Sequence, residues 1–147
     1  MITRDTPIFL VGYMGSGKST IGRRLADRMQ RQFIDTDIFI EQRFHESVAN
    51  MFASCHHGNM ELMNQCGVTV FLQVSLDVLA QRIELCKRTR PTVRHLSGAA
   101  LEEHIRQAME VRLPIYQQAQ YSISCDEICT PKDENRVAEE IALLLAH

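Results

Sequence analysis

Apolar residues fall in two patterns along the chain: short unbroken runs, and longer stretches in which they recur three or four positions apart. Ile8-Phe9-Leu10-Val11 is a run of the first kind and predicts a strand. Ile21, Leu25 and Met29 recur at intervals of four, with Arg23, Arg24, Asp27 and Arg28 largely off that stripe, and predict a helix. Gln32-Phe33-Ile34 leads into Asp35-Thr36-Asp37 as a short strand ending in carboxylates, followed by a helix from about Ile38 to Phe44. Ser47 to Phe52 and Asn59 to Asn64 read as further short helices, the second ended near Gly67, with poor patterning between them. Val68-Thr69-Val70-Phe71-Leu72-Gln73-Val74 is the longest β-type run and nearly all apolar, as expected of a central parallel strand covered on both faces. Ser75 is a candidate cap for a helix that buries Leu76, Leu79, Ala80 and Ile83. Leu101 to about Gln118 is helical in pattern, with an interruption at Pro114. Tyr121-Ser122-Ile123-Ser124 alternates like a last strand, and Val137, Ile141 and Leu144 mark a closing helix to Ala146. Strands alternating with helices predict an α/β fold, a parallel sheet with helices on both faces.

At 147 residues the chain is read as a single domain, 1–147. A net charge of −2 offers no general attraction to nucleic acid, and basic and aromatic residues are not interleaved, so no nucleic-acid partner is expected. The first seven residues lack an apolar core of signal-peptide length, and no run is long enough to span a bilayer. A cytoplasmic protein with no membrane partner is expected. Five cysteines without framework spacing fit reduced thiols, and Cys55, His56, His57 and Cys66 match no usual zinc pattern.

Chemistry concentrates first at Gly12-Tyr13-Met14-Gly15-Ser16-Gly17-Lys18-Ser19, which fits the phosphate-loop pattern G-x-x-x-x-G-K-[ST] without a mismatch. Glycines let the backbone curl so that successive N–H groups face the α- and β-phosphates of a nucleoside triphosphate. Lys18 can then reach the β- and γ-phosphates, and the Ser19 hydroxyl can ligate Mg²⁺. The flanking strand and helix are the setting this pattern requires, and they aim a helix N-terminus at the phosphates.

Asp35 and Asp37, two apart in an extended segment, share a face at the strand end where ligands of open α/β sheets sit. One carboxylate can hold Mg²⁺ through its water shell and the other can accept a proton from an attacking hydroxyl; alternatively, one simply caps the helix that follows. Cys86 to Gly98 is basic, broken by Pro91 and Gly98, and lacks an apolar period. It reads as a loop and lid, about 86–99, bringing cations over the γ-phosphate as charge develops. Arg112, just before Pro114, is either a surface arginine or a bidentate grip on a carboxylate.

Together these residues resemble the shikimate kinases, small P-loop enzymes that transfer the ATP γ-phosphate to the 3-hydroxyl of shikimate. The resemblance covers nearly the whole chain. It rests on the loop Gly12 to Thr20, on Phe33-Ile34-Asp35-Thr36-Asp37 with Ile40-Glu41-Gln42-Arg43, on Arg90-Pro91, and on Arg112-Leu113-Pro114-Ile115-Tyr116. It implies the three-layer P-loop kinase fold, ATP and Mg²⁺ as cofactors, shikimate as small-molecule partner, and a monomer. It further implies that Gly15, Ser16, Gly17, Lys18, Ser19 and Thr20 wrap the phosphates, with Ser19 on Mg²⁺, Asp35 orienting the metal's water and Lys18 stabilising the transferred group. Asp37 would hold shikimate hydroxyls and help polarise the nucleophile, Arg90 would close over ATP, and Arg112 would pair with the shikimate carboxylate. By the same analogy Arg82 would contact adenine.

One departure stands out. The family carries a further helical segment with a second substrate-binding arginine, then a strand, then a Gly-Gly-Gly substrate loop, and none of these is present here. The break falls between Phe52 and Asn59, and the expectation is a missing segment of a few dozen residues at about 53–58, either left out of the chain as described or truly deleted. Two other readings follow: a kinase for another small hydroxy acid such as gluconate, and, if the deletion is genuine, a non-catalytic ATP-binding regulatory module.

Overall fold

The computed structural model describes residues 6–13, 15–33, 60–61, 63–86, 93–128 and 130–146. Three strands, β1 (Ile8–Val11), β2 (Val68–Gln73) and β3 (Tyr121–Ser124), form a parallel sheet in that order. Ile8 lies opposite Val68, and Val70 lies opposite Tyr121. The central position expected for the longest apolar run is occupied by β2, whose Val68 to Leu72 are all buried while each residue of β1 keeps some exposure. The longer helices are α1 (Lys18–Met29), α2 (Leu76–Cys86), α3 (Gly98–Tyr116) and α4 (Pro131–Leu145), and residues 60–61 and 63–66 are also helical, ahead of Gly67.

A close backbone approach sets the start of the sheet. Val68 N–H donates to the Pro7 carbonyl at 2.9 Å, and a Cβ on Gly67 would lie 2.3 Å from that same oxygen. A side chain at Gly67 would therefore push β1 and β2 apart.

α1 packs chiefly on α4, and α2 on α3. Ile21 and Leu25 of α1 meet Val137, Ile141 and Leu145 of α4 in the core, and Arg24 Nε pairs with Glu134 at 2.7 Å at the edge of that contact. Thr130 and Asp133 cap α4 reciprocally, with Pro131 at the first helical position where a missing N–H costs nothing. On α1, Gly22 lies under Phe33: a Cβ there would come within 2.6 Å of the ring, and the Arg23 guanidinium sits over the same ring at 5.3 Å. Phe33 thus pins the chain against α1 just before Asp35.

Three readings of the pattern are corrected. Leu76 is 41% exposed, because the buried face of α2 is Leu79, Ala80 and Ile83 and does not extend back to its first residue. In α4 the residue buried beyond Ile141 is Leu145, four positions on, while Leu144 remains 38% exposed. Pro114 does not interrupt α3, which continues to Tyr116, with Gln117 N–H still reaching the Leu113 carbonyl at 2.9 Å. So close to the helix end, proline removes a bond that few later turns depend on.

The stretch read as a lid is bounded by helix on both sides, since α2 runs to Cys86 and α3 begins at Gly98. Residues 87–92 lie outside the described residues. Val93 is fully buried and its carbonyl accepts from Leu96 N–H at 2.9 Å, so the end of the stretch is anchored in the core. The helices expected at about 38–44 and 47–52, and the break at 53–58, also lie outside the described residues.

Candidate functional site

The site is built where β1 ends and α1 begins. Gly15 and Gly17 have φ of 84° and 99°, the left-handed region that lets the loop fold back, and Ser16 N–H closes a turn onto the Tyr13 carbonyl at 3.1 Å. Gly12 sits against β2 so closely that a Cβ would meet the Leu72 carbonyl at 3.0 Å and Ser16 Oγ at 2.9 Å. Gly17 caps α1 without a side-chain acceptor and no acidic residue stands in the first turn. That helix N-terminus is electrostatically suited to an anion.

Two side chains of the loop show its polar economy. Lys18 Nζ donates to the Gly12 carbonyl at 2.6 Å, so its charge is held across the loop mouth. Ser16 Oγ, in a residue 1% exposed, has no hydrogen-bond partner among the described residues. A buried hydroxyl left this way is costly, and a phosphate oxygen is the kind of group that would satisfy it. Ser19 and Thr20 are exposed on the first turn of α1.

Arg82, on α2, joins the loop to the segment after β3. Its guanidinium donates to the carbonyls of Gly15 at 3.3 Å, Cys125 at 2.5 Å, Asp126 at 3.3 Å and Ile128 at 3.4 Å. The segment it grips holds Cys125, which is 1% exposed; burial disfavours its thiolate and pushes the thiol up to about 11, against an opposing pull from Arg82.

Arg112 leaves α3 toward the same loop, its guanidinium carbon 5.1 Å from the centre of the Tyr13 ring. Tyr13 is 2% exposed, and burial raises its phenol above the ordinary value despite the nearby arginine. The structure thus brings together Gly15, Ser16, Gly17, Lys18, Ser19, Thr20 and Arg112. Asp35, Asp37 and Arg90 lie outside the described residues, as do Cys55, His56 and His57; among the described residues no group of three or more metal-binding side chains occurs. Tyr13 is the participant that the sequence reading passed over. Its one signal is that it is the aromatic residue of the loop.

A sequence model of the family described as Shikimate kinase matches residues 14–58 and 53–145, two segments that meet at 53–58. The shikimate kinase of Parabacteroides distasonis is 34% identical over 170 residues, covering 94% of this chain and 98% of that protein. That of Bacteroides thetaiotaomicron is 37% identical over 153 residues, covering 82% and 87%. Since 94% of 147 residues is about 138, an alignment of 170 positions leaves about 32 positions of the Parabacteroides protein with no counterpart here. The crystal structure of shikimate kinase from Bacteroides thetaiotaomicron superposes with a TM-score of 0.87 at 33% identity, over 97% of this chain and 99% of that one. At 24% identity, the shikimate kinase of Acinetobacter baumannii in complex with shikimate shares the fold, with a TM-score of 0.76.

Proposed function

The chain belongs to the shikimate kinase family, and on that premise we propose how its residues perform the family's reaction, transfer of the ATP γ-phosphate to the 3-hydroxyl of shikimate. The observation that carries the reading is the loop itself: Lys18 drawn across it, an orphaned Ser16 hydroxyl inside it, and an uncapped helix N-terminus behind it. Gly15 to Thr20 enclose the β- and γ-phosphates, and Lys18 exchanges the Gly12 carbonyl for phosphate oxygens. Arg90 closes over ATP from the basic segment. Arg112 grips the shikimate carboxylate, and Asp37 holds the hydroxyls and accepts the proton of the attacking one. Little covalent work falls to the protein in such a transfer, so catalysis is positioning and charge neutralisation.

Mg²⁺ would be held by the Ser19 hydroxyl, with Asp35 orienting a bound water. The ion keeps most of its waters and takes phosphate oxygens, so two protein groups suffice, and the small, oxygen-only donor set fits it. When bound, it neutralises charge on the transferring phosphate. We place the protein in the cytoplasm as a monomer; no helix among the described residues is long and apolar enough to cross a membrane.

We infer a shortening relative to the family at about 53–58. The two-part family match and the unmatched positions of the relatives support this. It favours one other reading, an ATP-binding module that does not hold shikimate.

ADP release by the purified protein with Mg-ATP, measured with shikimate, with gluconate and with no acceptor, separates the two. Release stimulated by shikimate supports the kinase. ATP binding with no stimulation by either acceptor supports the module.

A further inference from the structure

We propose that Tyr13 is a positioning residue for acceptor recognition: its ring, fixed in the phosphate loop, holds the Arg112 guanidinium by the face and presents its edge to a carboxylate. The inference rests on the reading that Arg112 pairs with the shikimate carboxylate.

The geometry supplies the contact between the two side chains. The guanidinium carbon stands 5.1 Å from the ring centre, inside the ~6 Å reach of a cation–π contact. A guanidinium stacked on a ring uses its flat face, and its N–H donors lie in the plane and point outward from the edge. A carboxylate approaching edge-on therefore does not compete with the ring. Burial keeps Tyr13 in its neutral form, and a residue 2% exposed has little freedom to turn away.

The partner helix is fixed in the same direction. Tyr116 lies one turn beyond Arg112 on α3, hence on the same face, and its ring stacks on Phe71 of β2 with centres 5.3 Å apart and 27° between planes. Phe71 is registered against Val11, the last residue of β1 before Gly12 and Tyr13. Two aromatic contacts, Tyr116 on Phe71 and Arg112 on Tyr13, thus set one face of α3 over the strand ends from which the loop rises. Arginine is a flexible side chain, and a carboxylate that must first order it binds less tightly. The loop that holds the phosphates thereby also determines how ready the acceptor's arginine is.

The test is equilibrium binding of shikimate, of its methyl ester and of ATP to the full chain and to Tyr13→Phe, Tyr13→Leu and Arg112→Ala. Tyr13→Met, which fills the space without a ring, replaces Tyr13→Leu if that variant fails to fold. The proposal expects Tyr13→Leu to weaken shikimate about fivefold to thirtyfold, to change ATP less than twofold, and to bind the methyl ester as the parent chain does. Tyr13→Phe, which keeps the ring, should stay within twofold throughout. Equal weakening of ATP and shikimate, or equal weakening of shikimate and its ester, would mean that the ring merely packs the loop and would overturn the proposal. If Arg112→Ala does not discriminate between shikimate and the ester, or if the parent chain binds neither, the carboxylate reading fails and the proposal with it. If Arg112→Ala discriminates and Tyr13→Leu does not, the positioning role alone is lost.

Discussion

Lys18 Nζ donates to the carbonyl of Gly12 at 2.6 Å, so the cation near one end of the phosphate loop is tied to the residue that opens the other. This contact is worth about 1 kcal/mol to the fold, but a cation on the transferring phosphate is worth far more to the reaction. Lys18→Ala should lower kcat at least ~10²-fold while the melting temperature falls by no more than about 4 °C. Near-parental turnover of the variant would show that Lys18 does not reach the phosphate.

Ser16 separates stability from binding in the opposite sense. Its buried hydroxyl has no partner among the described residues, and such a group costs about 1–3 kcal/mol. Ser16→Ala should leave the nucleotide-free chain as stable as before, or more stable by about 1 kcal/mol, and should weaken ATP about tenfold. Thermal melts with and without ATP check both halves. A variant clearly less stable without nucleotide would mean that the hydroxyl is satisfied by the fold itself.

Arg82 acts at one remove. Its four carbonyl partners lie in the phosphate loop and in the segment after β3, so it sets the spacing between the two. A lysine has three donors on one atom and cannot span that fork. Arg82→Lys and Arg82→Ala should both raise KM for ATP about tenfold, with kcat changed less, when ATP is varied at saturating acceptor. A fall in kcat at unchanged KM would place Arg82 on the reacting phosphate instead.

The parts of this site legible in the sequence are those in which neighbours along the chain are also neighbours in space. The phosphate loop is local, and its flanking strand and helix follow from the runs Ile8 to Val11 and Ile21 to Met29. The core position of β2 follows from its nearly unbroken apolar run. Burial at helix ends does not follow, because the pattern gives the stripe but not where the neighbouring element stops; Leu76 and Leu144 are misplaced for that reason. The contact between Tyr13 and Arg112 is invisible to periodicity, since it depends on how β1, β2 and α3 are stacked. Arg82 is similar: nothing in its local sequence distinguishes a surface arginine from one that spans two loops.

Cys125 gives a pH dependence whose sign can be worked out in advance. Burial is the main cause of its raised pKa, with Arg82 opposing and Asp126 and Glu140 reinforcing, and the thiol titrates at about 11 in the folded chain against an ordinary 9.0. Below pH 9 both folded and unfolded chains keep the proton, and the contribution to stability is fully present. Between pH 9 and 11 the unfolded chain gives up its proton first, so it binds fewer protons than the folded one and stability falls as pH rises. One such group accounts for about 1.4 kcal/mol per pH unit at most. Tyr13, also raised, acts in the same direction. Replacing the thiol removes this titration but not the others, so the stability difference between the parent and Cys125→Ala should shrink steadily across that window. Urea unfolding of both chains at pH 8, 9 and 10 checks it. A difference that stays constant would mean that the thiol ionises as readily in the fold as out of it, and burial would then not be what governs its proton.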